Sequence, residues 1–498
     1  MHANLNWLES RMKISPDREA IIDADTKDSW TYKQLYDRAD ILANYFIHQG
    51  VQKGDRVALL VPNHISYLDF IFACMKIGAI FVPLNWRLSD DELEYVVKDC
   101  SPKILGVNSS FLKKLAKADS DIILLEIHHN HYLDNFLKER KAPPIELQET
   151  DPLAMIYTGG TTGRPKGVVL SHRSILWNAL NTIVSWNLSE DDVTLTCLPM
   201  FHTGGLNVYT LPLLLIGGKV VLSSSFHAEK AVADLLQYKC TVVLFVPTMY
   251  HLIIQTRQFH EATFPDMKVF VSGGAPCPHK IYDAFRKKGI AFKEGYGLTE
   301  AGPNNFYIDP KDTERKLGSV GKPMLFNDIK IVREDGSTAE LQEVGELLVR
   351  GCHAFEYYWN KQQETKKTIQ HGWVHTGDLA RQDREGYVYI VGRKKDMIIT
   401  GGENVYPLEI EHWLESHEAI VEAAVLGLPD EKWGEVVTAF VVGENISEGE
   451  LKAYCRAKLT RYKIPKKFYF VKELPKTHVG KIDKTRLKEK AREDSRSS

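Results

Sequence analysis

An alternation constrains the fold more than anything else in this sequence: over most of its length, short β-branched runs are followed by amphipathic stretches. Arg56 to Val61 reads as a buried strand that the Pro62-Asn63 pair turns away from its sheet. Comparable strand-then-helix units recur at Lys219 to Leu222, Thr241 to Val246 and Lys268 to Val271. Strands joined through helices pair in parallel, and those helices must cover both faces of the sheet. An α/β architecture of helix-covered sheets follows. The helix before Arg56 marks its own start, because Thr31 with Gln34 three residues on forms a capping box that Trp30 can staple. Leu35, Ala39, Leu42 and Phe46 then share one face.

From about Asp328 the rhythm changes. Short strands with turn signals appear at Asp328 to Val332, Gly345 to Arg350 and Tyr387 to Val391, with Asp335-Gly336 as a turn, so residues 328–393 read as a β-rich subdomain. The remaining hundred or so residues carry helix patterns at Pro407 to Ser416 and Ser447 to Leu459 and a strand at Val436 to Val442, enough for a small α+β domain. The chain of 498 residues is too long for one compact core. The expected organisation is an N-terminal domain over residues 1–393, a hinge at 394–395, and a mobile C-terminal lid over residues 396–498. The charged tail Lys488 to Ser498 reads as a frayed helix end.

Charge and cysteine use exclude several classes. Lys plus Arg number 63 and Asp plus Glu 65, so no basic surface argues for a nucleic-acid partner. The seven cysteines are scattered without a Cys-x-x-Cys pair, against both a disulfide framework and a zinc site. Met1 to Trp7 lacks the basic segment and apolar run of a signal peptide. The apolar window Tyr67 to Leu84 contains Asp69 and Lys76 and changes character at Gly78 and Pro83. A helix and a strand fit it better than a transmembrane segment. The expected location is the cytoplasm, and a homo-oligomer is left open.

The strongest local signal is Tyr157-Thr158-Gly159-Gly160-Thr161-Thr162-Gly163-Arg164-Pro165-Lys166-Gly167. Glycines let backbone amides turn inward, hydroxyls donate to phosphate oxygens, and a lysine adds positive charge. The same residue types also suit a surface turn, but even taken alone the stretch favours phosphate binding. It is no Walker A loop, because Lys166 lies between Pro165 and Gly167.

With this loop the sequence resembles the adenylate-forming superfamily of acyl-CoA synthetases, firefly luciferases and peptide-synthetase adenylation domains. The resemblance covers nearly the whole chain through motifs in order: Pro199-Met200-Phe201-His202, Gly273-Gly274-Ala275-Pro276, Gly295-Tyr296-Gly297-Leu298-Thr299-Glu300, Trp373-Val374-His375-Thr376-Gly377-Asp378, Gly392-Arg393-Lys394-Lys395-Asp396, Gly401-Gly402-Glu403-Asn404 and Gly480-Lys481. One departure is Gly159, where the family usually has serine.

The resemblance implies ATP, Mg2+ and CoA as cofactors and an acyl-adenylate intermediate. It implies that Thr158, Gly160, Thr161, Thr162, Gly163 and Lys166 hold the phosphates, and that Glu300, with Thr158, serves the magnesium ion. Thr299 would reach the α-phosphate. Tyr296 would stack on adenine beside Gly274 and Ala275, with Glu294 and Gly297 in the same pocket, and Asp378 and Arg393 would take the ribose and phosphate. Lys481 would bridge the acid carboxylate and the α-phosphate during adenylation. Rotation of the lid at Lys395 would then bring Gly401-Gly402 in for thiol attack, and His202 would border the acyl pocket and thiol tunnel. Taken singly, each residue has an ordinary structural role: a core aromatic, a turn aspartate, an exposed lysine.

The expected activity is therefore an ATP-dependent acyl-CoA ligase acting on a carboxylic acid. The other readings are an adenylating enzyme that loads a carrier protein, a luciferase-like oxygenase, and a binding module without catalysis. No carrier domain follows Lys481, and the chain ends Ser-Arg-Ser-Ser rather than Ser-Lys-Leu. The segments His202 to Tyr209, Phe245 to Met249 and Ala301 to Phe306 are the candidate acyl pocket, and they hold no Arg or Lys. A dicarboxylate usually meets a fixed cation. The sequence therefore points to a fatty acid, as in bacterial fatty-acyl-CoA synthetases, with 2-succinylbenzoate or an arylalkenoate as alternatives.

Overall fold

The computed structural model describes residues 5–115, 121–134, 136, 145–159, 164–476 and 482–496. Two seven-stranded sheets form the larger part. The first runs in the order Phe292–Glu294, Val269–Ser272, Val242–Phe245, Val193–Thr196, Lys219–Leu222, Glu19–Asp23 and Ser29–Thr31, parallel except for its last pair. The second runs Tyr357–Tyr358, Lys166–Ser171, Pro152–Thr158, Ile80–Pro83, Arg56–Leu60, Ile104–Val107 and Ile123–Glu126. Its pairings are parallel from Pro152–Thr158 onward and antiparallel before it. The parallel sheets expected from the strand–helix alternation are thus present, with each expected strand boundary within about one residue.

The helix Ser66–Ile77 shows why an apolar window with charges is no membrane span. Every residue in it except Lys76 is buried. Asp69 is tolerated there because Arg38 donates to both of its oxygens at 2.9 and 2.7 Å and Tyr132 adds a third bond at 2.9 Å. A buried carboxylate is stable in apolar surroundings only with such partners. Among the described residues, no helix is long and apolar enough to cross a membrane. The capping box also forms, with Gln34 N–H donating to Thr31 Oγ1 and Thr31 N–H to Gln34 Oε1.

Within residues 328–393 the strands Asp328–Val332, Gly345–Arg350, Trp373–Gln382, Ile369–Gln370 and Val388–Arg393 form an antiparallel sheet, whereas Tyr357–Tyr358 joins the second large sheet. The strands between Ile398 and Phe470 pair only with one another among the described residues, giving a smaller α/β unit after the large one. A 3-10 turn, Lys394–Asp396, separates the two sheets, and the His279 and His412 rings meet across the units at 5.7 Å. In the charged tail a helix spans Lys484–Arg496, and Leu487 and Ala491, four residues apart on one face, are buried with Ala424, Leu426 and Phe440; residues 497–498 lie outside the described residues.

Candidate active site

Adjacent parallel strands set the geometry. Val269–Ser272 and Phe292–Glu294 stand in register with Ser272 opposite Glu294, so the loops beginning at Gly273 and Gly295 leave the same sheet edge side by side. Crevices beyond the carboxyl ends of parallel strands are where α/β folds bind ligands. Gly274 has φ +81°, which favours glycine. Gly297 is fixed by space instead: a Cβ there would lie 2.1 Å from the Pro303 carbonyl oxygen. Gly297→Ala is accordingly expected to cost several degrees in Tm and most of the activity, because backbone has to move. A melting curve superimposable on that of the wild type would contradict this.

Asp378 is the first charged centre. The antiparallel ladder places it opposite Arg393, whose Nε lies 3.1 Å from Oδ1. Tyr296 OH donates to Oδ2 at 2.6 Å, and burial together with this carboxylate pushes the phenol well above its ordinary pKa, so it remains a donor. The residue is 6% exposed. Each carboxylate oxygen keeps a further lone pair, so two more hydroxyl donors can be accepted.

Glu300 is the second. Its Oε1 accepts a 2.8 Å hydrogen bond from Tyr358 OH, and Lys166 Nζ lies 5.3 Å over the Tyr358 ring. Lys166 stands opposite Thr158 at the base of a hairpin, so the two described ends of the phosphate loop are adjacent. Tyr358 joins the acidic and basic sides of the site. It was not a sequence candidate, since its role depends on the pairing of Tyr357–Tyr358 with a strand some 190 residues earlier. Thr299, beside Glu300, is buried. Gly160, Thr161, Thr162, Gly163 and Lys481 lie outside the described residues.

Glu294 has a different character. Tyr282 OH donates to it at 2.6 Å, and burial raises its carboxyl to about 7 despite that bond. The folded state therefore holds this proton where the unfolded chain has lost it. The stability this group contributes falls as pH rises from about 4.5 to about 7 and is constant above. Glu415, also buried and raised to about 8, adds a slope of the same sign, so Glu294→Gln should reduce the fall between pH 5 and pH 8 without abolishing it, as read from thermal unfolding. An unchanged slope would place the titration elsewhere.

The structure gathers Tyr296, Asp378 and Arg393 into one cluster and Glu300, Tyr358 and Lys166 into another. His202 is half-buried, its ring 4.5 Å from Phe201. Leu206, Val208 and Phe306 share one core, whereas the side chains of Phe245 and Met249 pack in a separate cluster with Tyr250 and Phe285; Val246 between them lies against Gly274, 3.5 Å from where a Cβ would stand. Gly401 and Gly402 have φ +60° and +86°, and no hydrogen bond among the described residues joins them to Glu300 or Asp378. Gly401 N–H donates to the Trp433 carbonyl at 2.9 Å. Among the described residues no group of three His, Cys, Asp or Glu forms a metal cage. A single carboxylate with phosphate oxygens nevertheless suits magnesium, which keeps most of its ligands as water and substrate.

Comparison with known proteins gives a consistent picture. An "AMP-binding enzyme" family matches residues 8–359, and an "AMP-binding enzyme C-terminal domain" matches residues 409–481. A feruloyl-CoA synthase from Amycolatopsis is 38% identical over 480 residues, 96% of each chain. A long-chain-fatty-acid–CoA ligase from Mycobacterium tuberculosis is 34% identical over 495 residues, 98% of each. Among solved structures, ATP-bound MatB from Rhodopseudomonas palustris superimposes with a TM-score of 0.91 at 32% identity, covering 98% of this chain and 99% of its own.

Proposed function

Because the chain belongs to the AMP-binding enzyme family, we propose that it joins an aromatic carboxylic acid to CoA through an acyl-adenylate. It is an acid–thiol ligase using ATP, Mg2+ and CoA. Carboxylate attack on the α-phosphorus gives acyl-AMP and releases pyrophosphate. The CoA thiolate then attacks the acyl carbonyl, giving the thioester and AMP.

The observation that carries the reading is Asp378 held between Tyr296 and Arg393 beside the crevice. Asp378 accepts the ribose hydroxyls, and Tyr296 presents its ring to adenine over Gly274 and Ala275. Thr158, Lys166 and Thr299 meet the phosphates. Magnesium, when bound at Glu300, neutralises phosphate charge, and Tyr358 holds that carboxylate in place. His202 borders the acyl group. The unit after Lys394–Asp396 turns as a lid between the half-reactions, with Lys481 serving the first and Gly401-Gly402 the second.

The aromatic class is supported by likeness to a feruloyl-CoA synthase and by the rings at the ends of the pocket segments, Phe201, Tyr209 and Tyr307. A fatty acid is the second reading, favoured by Leu206, Val208 and Phe306 and by the fatty-acid ligase relative. The test is a panel of alkanoic and cinnamic acids scored for CoA thioester and AMP. Turnover of octanoate or palmitate well above that of any cinnamate would reverse the order of the two readings.

A further inference from the structure

Lys293 is a buried lysine, 2% exposed, on the strand Phe292–Glu294. Its Nζ lies 3.8 Å over the Trp186 ring and 4.3 Å over Tyr307. No hydrogen bond or ion pair among the described residues reaches it. Asp309 is the one acid acting on it, and that carboxylate is engaged by Lys311 at 3.0 Å. Two further polar atoms nearby lack partners: Trp186 Nε1 and Tyr209 OH are buried without a hydrogen bond, their rings 5.3 Å apart. The Lys293 amine, Trp186 Nε1 and Tyr209 OH, none of them hydrogen-bonded among the described residues, are expensive to bury in one place, and native proteins rarely keep such groups without a use. The two rings offset only part of that cost, since burial still lowers the amine to about 7.

The position of this cluster suggests its acceptor. Lys293 stands beside Val271 in the parallel register, two residues before Gly295, so it lies about 7 Å down the strand from the loop that carries Tyr296 and Thr299. Trp186 caps the helix His172–Ser185. Tyr209 follows Val208, whose carbonyl accepts from Asn304 Nδ2 at 3.2 Å. The cluster therefore holds Tyr209, the last residue of the segment His202 to Tyr209, and Tyr307, which follows the segment Ala301 to Phe306, and it lies below the loop that carries Tyr296 and Thr299.

We propose that Lys293, Tyr209 and Trp186 form the distal end of the acyl pocket and select acids that carry an oxygen acceptor remote from the reacting carboxyl. This rests on the ligase reading above. The acceptor is a phenolic oxygen on an arylalkenoic acid or a second carboxylate on an aryl acid, and the substrate panel separates the two.

The experiment measures kcat/KM for acid-dependent pyrophosphate release with cinnamate, 4-hydroxycinnamate, 4-hydroxy-3-methoxycinnamate and 2-succinylbenzoate. Wild type is compared with Lys293→Met and with Tyr209→Phe, which removes a single oxygen. The preference for the oxygen-bearing acid over cinnamate should fall at least tenfold in Lys293→Met and severalfold in Tyr209→Phe, mainly through KM. A wild-type enzyme with no such preference overturns the proposal, as does a loss shared equally by all four acids, the mark of a purely structural lysine. Because pyrophosphate release precedes thioester formation, failure of the ligase reading shows separately, as release without thioester.

Discussion

Lys481→Ala should abolish adenylate formation from acid and ATP, by about 10³-fold or more, yet convert a supplied acyl-adenylate and CoA into thioester at close to the normal rate. Carboxylate oxygen and α-phosphate are both anionic and must come to bonding distance. At an effective dielectric of about 20 that repulsion reaches several kcal/mol, and each 1.36 kcal/mol is tenfold in rate. A single cation placed there acts on the first transition state alone. Thiol attack involves no such collision of charges. A bulky side chain at Gly402 has the opposite profile: nothing lies within 4 Å of a Cβ there, so the main chain strains at φ +86° without an internal clash. Gly402→Phe should spare adenylation and slow transfer to CoA. Single-turnover kinetics of each half-reaction in both variants decide the matter. Equal damage to both halves by Lys481→Ala would mean that one arrangement of the lid serves both steps.

Asp378→Ala should weaken ATP binding by about 10- to 100-fold. A hydrogen bond to a charged acceptor contributes roughly 1.5–3 kcal/mol, and 1.4 kcal/mol is tenfold in affinity. The substitution also strips Tyr296 OH of its acceptor and leaves Arg393 without its carboxylate. Asp378→Asn separates the two contributions, since the amide keeps the shape and one acceptor but not the charge. Equilibrium binding of a non-hydrolysable ATP analogue provides the measurement. An Asp378→Ala protein that binds ATP like wild type would remove this residue from the nucleotide site.

The candidate site could be named from the sequence because the elements of its motifs are local. Turn glycines, a cap such as Thr31 with Gln34, and a carboxylate at a fixed offset from Tyr-Gly can all be read from neighbours in the chain. What escaped depends on contacts between distant segments. Tyr358 reaches Glu300 only because its strand pairs with Lys166–Ser171. Lys293 follows Phe292 and precedes Glu294 in a pattern that, on a one-faced strand, would turn the lysine to solvent. Both faces of this sheet are covered, so alternation misplaces it. Phe245 and Met249 looked like pocket residues by position alone, and the pleat of their strand and the turn of their helix send them into the other core. The terminal helix did leave a mark that could have been read: Leu487 and Ala491 are spaced for one buried face.

The pairing of Tyr357–Tyr358 with Lys166–Ser171 and of Glu19–Asp23 with Lys219–Leu222 has a consequence for biosynthesis. The ribosome delivers the chain from its N-terminus, so the strand Glu19–Asp23 must wait for about two hundred more residues before its parallel neighbour exists. The second sheet stays open at one edge until residue 358 has emerged, and until then Glu300 lacks the phenol that holds it. A nascent chain therefore exposes unpaired, apolar strand edges through most of its synthesis, the period in which chaperones are needed most.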